Sequence, residues 1–92
     1  MNFVDSNIIV KAYTDAPEKE RCRKMLSEPF LTDALCLIEA AHSIGVIKKN
    51  REYASTCIKA LYKGGAIIIP LDKNLLFPSL KRFEHSGLLL FD

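Results

Sequence analysis

The sequence predicts an α/β domain built on a short parallel sheet, on three observations. Strand-like and helix-like segments alternate along the chain, the pattern that gives βαβ units. Ala66-Ile67-Ile68-Ile69-Pro70 is a continuous β-branched run, the signature of a parallel strand covered on both faces. The chain also opens on two β-formers, Phe3 and Val4, that run directly into Asp5, Ser6 and Asn7. In open α/β sheets ligands bind at the carboxyl ends of strands, where such an acid stands.

Length and composition bound this expectation. Ninety-two residues at 49% hydrophobic suit one domain, residues 1–92, with a single small core. The net charge of +2 argues neither for nor against nucleic-acid binding. Cys22, Cys36 and Cys57 lack C-x-x-C spacing and sit among apolar residues of helical segments, so they read as reduced core thiols of a cytoplasmic protein. No apolar run is long enough to span a bilayer and no signal-peptide pattern opens the chain, which predicts a soluble protein without a membrane partner.

In chain order, Asp5 precedes a buried helix carried by Ile8-Ile9-Val10-Lys11-Ala12-Tyr13. It reads either as the N-cap of that helix or as a site residue. Asp15 and Pro17 then introduce a second helix over about 17–28, with Cys22, Met25 and Leu26 on its apolar face and a run of charges on the solvated one. Pro29 stops it, and Phe30-Leu31-Thr32 forms a second strand.

Thr32 or Asp33 caps a third helix over about 34–48, in which Glu39 is the only formally charged residue between Ala34 and Ile47. A helix apolar nearly all round is a buried helix, and a carboxylate inside it needs a cation, a metal, a wet cleft or a proton. The competing reading places Glu39, His42, Ser43 and Val46 along one exposed edge. His42 carries no assigned ligand role.

Asn50 caps a fourth helix with Tyr53, Cys57 and Leu61 on one stripe beside Ala54 and Ile58, and Gly64-Gly65 ends it. After the third strand, Asp72 introduces a helical stretch from Lys73 to Ser86, interrupted by Pro78. Leu88 to Phe91 is a last apolar run that leads into Asp92.

Asp5, Glu39 and Asp92 each follow or interrupt an apolar element. Three carboxylates gathered at one end of a sheet repel one another and persist together with hard divalent cations, Mg²⁺ or Mn²⁺, as in metal-dependent phosphodiesterases. The order and separation of hydrophobic-Asp-Ser-Asn at Phe3 to Asn7, an apolar helix with Glu at Leu35 to Ala40, and Gly-Leu-Leu-Leu-Phe-Asp at Gly87 to Asp92 resemble a PIN domain, the nuclease module of VapC-type toxins and of several RNA-processing proteins.

The resemblance implies a three-layer α/β/α sandwich around the short parallel sheet. It also implies a metal-dependent endoribonuclease with Asp5, Glu39 and Asp92 as catalytic metal ligands, Ser6 and Asn7 in support, and Mg²⁺ or Mn²⁺ as cofactor. Its partners are an RNA substrate, an antitoxin protein and a second copy of the chain. PIN domains usually continue past the third acid with a helix, two strands and often a fourth acid, so the chain reads as a C-terminally incomplete member.

That incompleteness supports an alternative, a non-catalytic remnant that binds a protein partner. It also predicts self-association through the edge of the first strand and the Leu88 to Phe91 run. A haloacid-dehalogenase-like phosphatase would carry a second Asp where Asn7 stands, and no Gly-x-Gly-x-x-Gly follows the first strand to bind a dinucleotide.

Overall fold

The structure, a computed structural model, describes residues 1–70 of the chain. Among them the fold is α/β, with four helices and a short parallel sheet, in the order α1 (Ser6–Ala12), α2 (Lys19–Leu26), β1 (Phe30–Asp33), α3 (Ala34–Lys48), α4 (Arg51–Lys63) and β2 (Ala66–Ile69). Strands β1 and β2 pair in parallel with Phe30 opposite Ala66 and Asp33 opposite Ile69. The expected first strand contracts to a parallel bridge between Phe3 and Leu31, held by Val4 N–H to the Leu31 carbonyl (2.7 Å) and Leu31 N–H to the Asn2 carbonyl (2.9 Å). β1 therefore lies between the N-terminal segment and β2.

Local chemistry explains most element boundaries. Asp5, Asp33 and Asn50 each precede a helix in extended backbone and accept from the N–H groups of its first turn. Lys49 closes α3 in the left-handed region at φ 52°, so the chain reverses within two residues and α4 folds back against α3. Gly64 and Gly65 follow α4. A Cβ on Gly65 would stand 3.3 Å from Pro29 Cα, in the tight approach where Phe30 N–H reaches the Gly65 carbonyl (3.1 Å).

The core joins Val4, Ile9 and Val10 to Phe30 of β1, Leu37, Ala40 and Ile44 of α3, and Ala54, Cys57 and Leu61 of α4. All three cysteines are buried free thiols, as their apolar settings predict. Tyr53 Oη donates to the Tyr13 carbonyl (3.0 Å) and Arg23 Nε to the Ala12 carbonyl (2.8 Å), which ties α4 and α2 to the end of α1.

Five expectations are corrected. The second helix begins at Lys19, beyond Pro17, and Asp15 pairs with Lys48 at 3.4 Å rather than capping it. Thr32 does not cap α3; its hydroxyl donates to the Val4 carbonyl (2.9 Å) and clamps the N-terminal segment to β1.

Among the described residues strand β2 is not covered on both faces, since Ile67 is 45% exposed. Helix α3 is not buried all round either: Leu37, Ala40 and Ile44 face the core, while Ile38, Val46 and Ile47 remain open to solvent. The helix predicted over Lys73 to Ser86 and the Leu88 to Phe91 run lie outside the described residues.

Candidate functional site

The candidate site is built where the N-terminal segment and β1 end side by side. Phe3 pairs with Leu31 in parallel, so Asp5 and Asp33, each two residues further on, lie at the carboxyl end of neighbouring extended segments. Both then cap a helix. Asp5 accepts from Asn7 N–H (3.1 Å) and Ile8 N–H (3.3 Å) through Oδ1, and among the described residues its Oδ2 takes no hydrogen bond. Its carboxylate is half-buried, so the cap reading holds for one oxygen while the other is left available.

Asp33 is only 1% exposed and accepts from Cys36 N–H at 2.8 Å. It was legible in the sequence as a cap alone. The signal for more was the Leu31-Thr32-Asp33 pattern, a strand running into small polar and acidic residues as Val4-Asp5-Ser6 does.

Glu39 lies in the second turn of α3 on its inward face and is 3% exposed. Ser6, the residue after Asp5, donates its hydroxyl to Glu39 Oε2 at 2.9 Å. The bond joins residues far apart in sequence, fastens the start of α1 to the middle of α3, and meets part of the carboxylate's need for polar partners in an apolar setting.

The exposed-edge reading of this residue is therefore overturned. Glu39 and Ser43 are buried, and the edge of α3 that meets solvent carries Ile38 and Val46. Asn7 contributes its backbone N–H to Asp5. His42 is half-buried and lines a groove between α3 and α4 with Ile38.

Of the three sequence candidates, Asp5 and Glu39 are linked through Ser6, and Asp92 lies outside the described residues. Among the described residues no three His, Cys, Asp or Glu side chains form a metal-ligand group. The donor set nevertheless suits a hard cation, because carboxylate oxygens are what Mg²⁺ and Mn²⁺ prefer and Asp5 holds one oxygen in reserve. Comparison with protein-family models, with curated proteins and with solved structures gives no match for this chain.

Proposed function

We propose that this chain is a PIN-like, metal-dependent endoribonuclease, with Asp5 and Glu39 as carboxylates of its site and Asp92 completing the set. The observation that carries this reading is the Ser6 Oγ to Glu39 Oε2 hydrogen bond. It makes the acid after the first extended segment and the lone acid of α3 parts of one polar constellation. The parallel pairing of the N-terminal segment, β1 and β2 supports a PIN-like three-layer arrangement, in which further helices cover the sheet.

Asp5 and Glu39, with Asp92, would hold Mg²⁺ or Mn²⁺, and such an ion supplies activation of water and neutralisation of charge on the attacked phosphate. The protein's own residues do the positioning. Asp5 is fixed by the two N–H groups it caps, which occupy one of its two oxygens. Ser6 holds the Glu39 carboxylate in one orientation, the part that outer hydrogen-bond partners play in metal sites. Asp33, the cap of α3, stands at the same end of the sheet as Asp5.

RNA cleavage by the purified chain with Mn²⁺ or Mg²⁺ tests the proposal. The expected outcome is cleavage that requires the ion, disappears in Asp5→Asn and Glu39→Gln, and falls by about 10–100-fold in Ser6→Ala. Cleavage that persists in Asp5→Asn would refute it.

A further inference from the structure

Helix α3 carries two apolar faces, and the core uses one. On the outer face Ile38, Ala41, His42, Gly45 and Val46 form a stripe with helical spacing, opposite a matching stripe of α4 from Arg51 to Lys59. Between the stripes runs a groove of about 790 Å³. Its floor is aliphatic, and Ile38 and Val46 are 60% and 62% exposed.

Among the described residues the charge around this floor has one sign. Lys49 and Arg51 stand at the end where α3 turns into α4, and Lys59 lies further along α4. Gly45 faces Ala54 and Arg51, so α4 runs back along α3 and Lys59 comes near the Ile38 end. Among the described residues no carboxylate lines the groove.

We infer that this groove docks an acidic amphipathic helix of a partner protein. Ile38 to Lys49 measures about 16 Å along α3, the length of about three helical turns. An incoming helix with an i, i+3, i+4, i+7 apolar stripe fills the floor, and its flanking acids meet Lys49, Arg51 and Lys59.

Two other occupants fit less well. A second copy, related by a two-fold axis, would bring the same cations against themselves. A single-stranded nucleic acid would be offered charge but, among the described residues, a single half-buried ring, His42, to stack on, since the rest of the floor is aliphatic. The inference is independent of the nuclease proposal and uses none of its residues.

Titration of the full chain with a fluorescent acidic amphipathic helical peptide tests it. A scrambled peptide of the same composition and a Lys-for-Glu version serve as controls. The acidic amphipath binds, the controls do not, and affinity falls as salt rises. Ile38→Glu abolishes binding, and the pair Lys49→Glu with Arg51→Glu weakens it by about tenfold or more.

All three positions are exposed, so an unchanged melting curve certifies the folded state of each variant. Several results would overturn the inference: no binding, equal binding of the scrambled peptide, or binding indifferent to Ile38→Glu. Displacement of the peptide by an RNA oligonucleotide, or a homodimer by light scattering that Ile38→Glu dissolves, would do so equally.

Discussion

Asp5 is a helix cap whose second oxygen is unspent, and this division of labour makes its two roles separable. Asn caps a helix about as well as Asp, so Asp5→Asn keeps the fold near wild-type stability while removing the charge a cation needs. The expected result is that millimolar Mn²⁺ raises the melting temperature of the wild type and leaves Asp5→Asn unmoved; equal shifts in both would count against ligation by Asp5. Ser6→Ala removes a donor from a buried carboxylate, which costs about 1–3 kcal/mol by urea denaturation at neutral pH. Cys57 offers a third test. Burial pushes its thiol above the ordinary value, more than the Tyr53 hydrogen bond lowers it, and burial also raises Tyr13. A group whose pKa is higher folded than unfolded gives stability that is whole below the unfolded value and is lost as pH rises through the folded one. Stability should therefore fall from roughly pH 8.5 upward, and Cys57→Ala should flatten part of that fall in a series of urea midpoints.

At the scale of elements, the α3–α4 hairpin depends on a residue in a costly conformation. Lys49 sits at φ 52°, where a side chain is disfavoured and glycine is not, so Lys49→Gly is expected to raise stability by about 1 kcal/mol in thermal unfolding. Gly65 behaves in the opposite way. The backbone of Pro29 stands where its Cβ would go, and no flexible side chain is there to give, so Gly65→Ala should cost about 1–3 kcal/mol and loosen the start of the β1–β2 pair. The sequence shows this pair of glycines only as the stop of α4. Its second function, letting the entry to β2 pass against the turn before β1, depends on a contact between segments more than thirty residues apart.

For the whole molecule, the sheet is what gathers the site. β1 bonds to the N-terminal segment on one side and to β2 on the other, with Thr32 reaching across to the Val4 carbonyl. Phe30 at the start of β1 is 1% exposed and belongs to the core that α1, α3 and α4 share. Phe30→Ala should cost about 3–5 kcal/mol, a large part of the stability of a domain this small, and a shallow, non-cooperative melt is the expected signature.

What the sequence determined by itself is what local chemistry dictates. The limits of α3, the caps at Asp5, Asp33 and Asn50, the stop at Gly64 and the buried reduced thiols follow from hydrogen bonds within a few residues and from periodic hydrophobicity. Only the tertiary structure decided which side of α3 turns inward. With apolar residues on every side, periodicity could not choose, and packing of Leu37, Ala40 and Ile44 against the core put Glu39 within reach of Ser6 and left Ile38 and Val46 to line the outer groove. The register that sets Asp33 beside Asp5 was equally hidden, because pairing between distant segments is fixed by backbone hydrogen bonds that no single stretch of sequence encodes.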